Sequence, residues 1–127
     1  MKYILDTHVF IWYATGDKRL TPRSRSIIES SDEMFVSIAS IWEMAIKVNI
    51  GRLDFKKPFQ KIIENQIIIN KYKLLSISLQ HLFKLSQLEL HHRDPFDRLL
   101  VSQALTEKIP VVSVDEIFDK YGVDRIW

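Results

Sequence analysis

The sequence contains no cysteine, and it has only three glycines and four prolines among 127 residues. Without cysteine neither a disulfide framework nor a thiolate metal site is possible, and a reducing compartment suits the chain. A composition of 46% hydrophobic and 27% charged residues is typical of a packed globular protein rather than a disordered one. No cluster of Pro, Gly or Ser is long enough to divide the chain, so we expect one domain over residues 1–127.

Long hydrophobic runs are also missing. No apolar stretch approaches the ~20 residues that span a bilayer. Near the N-terminus Asp6 and His8 interrupt the apolar residues before a secretory segment could form. We therefore expect a soluble, cytoplasmic protein that does not associate with membranes. The net charge is only +2, which does not distinguish a phosphate-binding surface from an ordinary solvated one.

Short apolar runs alternate with helical patterns along the whole chain. Strands are predicted over residues 3–5, 34–37, 74–77, 110–114 and 123–127. Helices are predicted over residues 9–14, 21–30, 39–50, 58–71, 79–90 and 94–108. Strands separated by helices favour an α/β fold in which a parallel sheet carries helices on both faces.

Two aspartates, Asp6 and Asp115, end predicted strands. In an open parallel sheet, ligands bind beyond the carboxyl ends of the strands, so polar residues at these positions are candidates for a functional site. Each aspartate also precedes a predicted helix, where Asp is a favoured N-cap. Taken singly, both interpretations remain open.

Glu43 lies in a helical segment that is apolar almost all round. Between Ala39 and Gly51 the only ionisable residues are Glu43 and Lys47. A helix of this kind is expected to be buried, and a buried carboxylate requires a cation or a polar site. Lys47, four residues on, could form an ordinary helix ion pair with Glu43. The alternative is that Glu43 lines a polar site.

Asp97 interrupts an apolar helix face at a position where a core residue is expected. It shares that face with Leu100, Val101 and Ala104. An acidic residue in a first helical turn can also simply interact with the helix dipole. Asp94 is better placed as the cap, which would leave Asp97 free to point inward.

These four carboxylates would repel one another unless a cation lies between them. Oxygen ligands favour the hard cations Mg²⁺ or Mn²⁺ over zinc. The histidines offer little competition, because His8 is isolated, His81 lies on a helix, and the adjacent His91 and His92 project in different directions.

Four segments carry a family resemblance: residues 4–8 (ILDTH), 37–47 (SIASIWEMAIK), 92–100 (HRDPFDRLL) and 112–115 (VSVD). In order and at family spacing they resemble the motifs of PIN-domain nucleases, and most closely the VapC-type toxins of prokaryotic toxin–antitoxin pairs. The resemblance implies a three-layer α/β/α sandwich with a central parallel sheet and a pocket that binds Mg²⁺ or Mn²⁺. By motif match the acidic residues of the pocket are Asp6, Glu43, Asp97 and Asp115, and the bordering hydroxyls are Thr7, Ser37 and Ser113.

The same resemblance implies a metal-dependent endoribonuclease that hydrolyses RNA to leave a 5′-phosphate. It also implies a small antitoxin that masks the pocket, and a homodimer. The apolar side chains of the first helix, residues 9–13, are expected to remain partly exposed at an interface.

Two alternatives to this function differ in class. The first is a catalytically silent PIN scaffold that binds RNA or a protein partner. The second is a receiver-like signalling domain, which is disfavoured because it needs an acidic pair after the first strand and a lysine after the last. No G-x-S-x-G elbow or Gly-rich phosphate loop is present.

Overall fold

The computed structural model describes residues 1–127 and alternates strands with helices. The strands are β1 (Lys2–Leu5), β2 (Glu33–Ser37), β3 (Lys73–Leu75), β4 (Val111–Val112) and β5 (Arg125–Ile126). The helices are α1 (Thr7–Thr15), α2 (Pro22–Ser30), α3 (Ile38–Asn49), α4 (Phe59–Asn70), α5 (Leu79–Ser86) and α6 (Pro95–Glu107), with a 3-10 helix over Glu116–Tyr121.

All five strands are parallel and lie in the order β3-β2-β1-β4-β5. β1 is therefore central, with β2 on one side and β4 on the other. Because parallel strands end at the same edge of a sheet, the residues that follow β1, β2 and β4 are neighbours there. That edge is where the candidate site forms.

The core lies on both faces of the sheet. In β1 the side chain of Ile4 packs on one face and that of Leu5 on the other, and Val111 and Val112 of β4 divide in the same way. Residues of α1, α2, α3 and α4 cover the Leu5 face, and α6 with the 3-10 helix covers the Ile4 face. The predicted α/β/α sandwich with a central parallel sheet is confirmed.

Two helix starts follow from local cap chemistry. The Thr21 hydroxyl accepts a hydrogen bond from the Ser24 amide, 3.1 Å away, at the start of α2. The Asp94 carboxylate accepts bonds from the Phe96 and Asp97 amides at 2.8 and 3.1 Å at the start of α6. In both helices proline occupies the next position, where its missing N–H has no cost.

Some predicted boundaries were wrong. α5 ends at Ser86 rather than near residue 90, because Leu88 turns onto the core on the Ile4 face and the chain continues as a loop to Asp94. β4 ends at Val112, so Ser113 and not Asp115 directly follows that strand.

None of the helices is both long and apolar enough to cross a membrane.

The apolar surface lies on α3 rather than on α1. In α1, Val9, Phe10 and Trp12 are buried, and the two other apolar side chains of residues 9–13 pack against the same core. Of the apolar side chains of residues 9–13, Ile11 and Tyr13 remain partly exposed, as predicted. α3 was predicted to be buried all round, but only one of its faces is buried. Its other face carries an exposed stripe of side chains at four-residue spacing, with exposed fractions of 37% to 57%: Ile38, Trp42, Ile46 and Ile50.

Candidate functional site

Asp6 follows the central strand directly, and its side chain is buried. One carboxylate oxygen, Oδ1, accepts a 3.3 Å hydrogen bond from the His8 amide and so caps α1. The other, Oδ2, accepts a 2.6 Å hydrogen bond from the Ser113 hydroxyl. Burial raises the pKa of Asp6, while the bond from Ser113 acts in the opposite direction. Asp6 thus caps a helix and also lies among polar side chains at the sheet edge.

Asp97 lies in the first turn of α6, and only 14% of its side chain is exposed. Because Asp94 provides the cap, the Asp97 carboxylate is free to point inward. Burial raises the pKa of Asp97 to about 8, and repulsion from Asp6, Asp94, Glu43 and Asp115 adds to the rise. The structure therefore brings the four acidic residues singled out from the sequence close enough to interact.

Asp115 is fixed by three hydrogen bonds. Its Oδ1 accepts a 3.0 Å bond from the Ile117 amide and caps the 3-10 helix. Its backbone amide donates to the Ser113 hydroxyl oxygen at 3.0 Å, and its Oδ2 lies 3.1 Å from His92 Nε2. Ser113 therefore connects Asp115 with Asp6.

Glu43 is buried in α3, and it forms the ion pair that its spacing allows. Its Oε2 lies 2.9 Å from the Lys47 ammonium. Its Oε1 is buried and has no hydrogen-bond partner. Buried carboxylate oxygens are rarely left unpaired, so this atom is available for a ligand.

His92 is the site residue that the sequence reasoning missed. Its Nε2 lies 3.1 Å from Asp97 Oδ2 and 3.1 Å from Asp115 Oδ2. These three atoms lie within 4.8 Å of one another. As predicted, the neighbouring His91 points elsewhere, and it contacts Glu89 and the ring of Tyr121. The sequence signal for His92 is its place at the start of the motif segment 92–100, two residues before the Asp94 cap.

The three candidate hydroxyls have different surroundings. Ser113 donates to Asp6, as described above. The Thr7 hydroxyl donates to Ser40 Oγ at 2.9 Å. The Ser37 hydroxyl accepts a 3.0 Å bond from the Ala39 amide, which caps α3, and donates to Gln103 Oε1. Neither Thr7 nor Ser37 forms a hydrogen bond with any of the four acids.

The donor set suits a hard divalent cation. Every acidic side chain offers oxygen, which Mg²⁺ and Mn²⁺ prefer. The Oε1 of Glu43 has no partner, and burial together with the neighbouring carboxylates raises the pKa of Asp97, so that its charged form is disfavoured without a cation. A cation bound among these oxygens would relieve both effects.

The sequence matches the family model of the PIN domain over residues 3–124. The chain belongs to the PIN-domain family. The matched region contains all four acidic residues and the adjacent His92. Among curated proteins, no sequence matches the chain significantly.

Solved structures share the fold of this PIN domain. The chain is similar to a chain of VapBC2 from Rickettsia felis bound to a promoter DNA fragment, with a TM-score of 0.74, 14% identity, and coverage of 99% and 98% of the two chains. It is also similar to DNA-bound VapBC from Salmonella typhimurium, with a TM-score of 0.70, 17% identity, and coverage of 99% and 97%. VapBC-1 from nontypeable Haemophilus influenzae gives a TM-score of 0.70, 14% identity, and coverage of 99% and 97%. At these identities the likeness concerns the fold.

Proposed function

We propose that this PIN domain is a Mg²⁺- or Mn²⁺-dependent endoribonuclease and the toxin of a toxin–antitoxin pair. One observation carries the proposal: Asp6, Asp97 and Asp115 come together at the carboxyl edge of the sheet, and the pKa of Asp97 rises to about 8. Burying several acidic side chains next to one another costs the fold stability, and a bound cation would offset that cost.

The residues of the chain have distinct roles in this proposal. Asp6, Asp97, Asp115 and the unpaired Oε1 of Glu43 would hold the cation. Such a cation activates water for attack on a phosphodiester and offsets the charge of the leaving oxygen. Lys47 forms an ion pair with the second oxygen of Glu43, which leaves Oε1 as the donor for the cation.

A side-chain nucleophile is not part of the proposal. The Ser113 hydroxyl is buried and already donates to Asp6. The Thr7 hydroxyl is buried and donates to Ser40. Neither oxygen is exposed to a phosphodiester, which favours water as the attacking group.

The partners are proposed on two further grounds. The similar structures named above are VapBC assemblies, and by analogy we propose a small antitoxin that places a basic side chain among the carboxylates. The exposed apolar stripe of α3 supports a homodimer, because a contiguous apolar surface of this kind is typical of protein interfaces. We place the protein in the cytoplasm, where its RNA substrate is found.

A cleavage assay on RNA tests the proposed activity. Wild-type protein should cleave RNA with added Mn²⁺ or Mg²⁺ and lose that activity in EDTA. Asp97→Asn should reduce cleavage to the level seen in EDTA. The control is Asp54→Asn, at an exposed aspartate outside the acidic site, and it should cleave RNA like the wild type. Undiminished cleavage by Asp97→Asn would contradict the proposal, and absence of metal-dependent cleavage by wild type would favour the silent scaffold.

Expression of the chain alone in a bacterial host tests the toxin role. Wild-type protein should slow growth and degrade RNA, and Asp6→Asn should do neither. If both proteins are equally harmless, the toxin role is wrong.

A further inference from the structure

We propose that His92 is a positioning residue that donates its Nε2–H to the Asp115 carboxylate, keeps that carboxylate beside Asp97, and does not itself ligate the metal. This inference rests on the proposed function, because it concerns the same acidic site. It assigns a role to a residue outside the four predicted acids.

His92 is the only side chain whose N–H reaches either carboxylate. Its Nε2 is equidistant, at 3.1 Å, from Oδ2 of Asp97 and Oδ2 of Asp115. Only 15% of its side chain is exposed, so water competes weakly for these contacts. No lysine or arginine forms an ion pair with either aspartate. The Nε2–H is donated to Asp115 and lies equally near Asp97, so it offsets part of the repulsion between the two acidic side chains.

The other ring nitrogen determines which tautomer is present. His92 Nδ1 accepts a 3.1 Å hydrogen bond from the Asp94 amide. A backbone N–H can only donate, so Nδ1 must offer a lone pair and the ring proton must lie on Nε2. That proton is donated to Asp115 Oδ2, and Asp97 Oδ2 lies at the same distance from Nε2.

A metal-ligating histidine has the opposite arrangement. It offers a nitrogen lone pair to the ion and donates its other N–H to a carboxylate, a carbonyl or water. In His92 the second nitrogen accepts from the Asp94 amide instead. Ligation through Nε2 would require Nδ1 to carry a proton against that amide, which is electrostatically unfavourable.

The backbone around His92 is fixed independently of any ion. The Tyr121 hydroxyl accepts hydrogen bonds from the His91 and His92 amides at 3.0 and 2.8 Å. The His92 carbonyl accepts a 3.3 Å bond from the Arg98 guanidinium. The ring is therefore oriented by the loop and by the start of α6, before a metal binds.

Histidine tautomers measured by NMR test this inference directly. In ¹⁵N-histidine-labelled wild-type protein, His92 should carry its proton on Nε2 in EDTA and keep it there in saturating Mg²⁺. His81 is an internal reference, because its Nδ1 also accepts a backbone amide, that of Ser78 at 3.0 Å. A His92 Nε2 that loses its proton on Mg²⁺ addition, or a neutral His92 ring that carries its proton on Nδ1 in EDTA, would overturn the proposal.

Mg²⁺ affinity tests the positioning role. By calorimetric titration, His92→Phe should bind Mg²⁺ roughly 10- to 100-fold more weakly, which is the usual cost of removing a residue that orients metal ligands. His92→Gln keeps an N–H donor and should recover most of the affinity. Wild-type affinity in His92→Phe, or no recovery in His92→Gln, would overturn the role.

Neither measurement uses RNA cleavage. A protein that shows the expected tautomer and affinities but cleaves no RNA would contradict the proposed nuclease function while leaving the inference about His92 intact.

Discussion

The Ser113 hydroxyl donates a 2.6 Å hydrogen bond to Oδ2 of Asp6, and the two residues are 107 positions apart in the sequence. They meet because β4 pairs with β1 in parallel, so that the residues following both strands are neighbours. The same hydroxyl oxygen accepts from the Asp115 amide. Ser113 is thus the structural connection between two acidic residues of the site.

Ser113→Ala should destabilise the protein. It removes a donor to a buried carboxylate, a type of bond that contributes about 1.5–3 kcal/mol, and leaves the Asp115 amide without its partner. Urea unfolding in EDTA measures the change in the free energy of unfolding. Ser102→Ala is the matched control, because that buried hydroxyl donates only to the Leu99 carbonyl within its own helix and its loss should have a small effect. Equal effects of the two substitutions would contradict the role of Ser113.

Asp97→Asn should stabilise the metal-free protein at alkaline pH. An unfolded aspartate titrates near pH ~3.9, whereas the pKa of folded Asp97 is about 8. Between these values the folded protein binds more protons than the unfolded protein, so wild-type stability falls as pH rises and then levels off above pH ~8. Asn does not titrate and so removes this pH dependence. The free energy of unfolding of Asp97→Asn should exceed that of the wild type by about 1–3 kcal/mol near pH 8 and differ little from it near pH 4.

Urea unfolding in EDTA across that pH range measures the effect. Asp54→Asn is the control, because Asp54 is exposed and contacts from Lys56 lower its pKa, so its loss should not stabilise the protein. A loss of stability in Asp97→Asn at alkaline pH would instead indicate that Asp97 serves mainly the helix dipole.

Lys47→Met should destabilise the metal-free protein, because it leaves the buried Glu43 carboxylate without a cation. The Lys47 side chain is 35% exposed, so we expect a loss of about 1–2 kcal/mol rather than the full cost of breaking a buried pair. Glu43→Gln with Lys47→Met should recover much of this loss, since no unpaired charge remains. A double-mutant cycle of urea unfolding measurements gives the coupling free energy between Glu43 and Lys47. Additive effects would show that the ion pair contributes nothing.

Ile46→Glu should convert the proposed homodimer into a monomer. Ile46 lies in the centre of the exposed stripe of α3, and a charge there cannot be buried without a partner. Light scattering on purified protein should give twice the mass of one chain for the wild type and the mass of one chain for the variant. Ile68→Glu, at an equally apolar and more exposed position of α4, should remain dimeric. A monomeric wild-type protein at micromolar concentration would refute the dimer.

The order of the elements and several helix starts were predictable from the sequence because their causes are local. Thr21-Pro22 and Asp94-Pro95 start helices through hydrogen bonds within three residues. The division between Asp94 as cap and Asp97 as inward-pointing acid also follows from spacing along one helix.

The tertiary structure alone decided which side chains meet. A local pattern gives the direction of a side chain within its own helix or strand, but the direction of a loop residue depends on the contacts of that loop. His92 reaches Asp97 and Asp115 only because Tyr121 and Arg98 hold its backbone. For the same reason the sequence could not show which face of an apolar helix stays exposed, and in the structure that face of α3 includes Trp42.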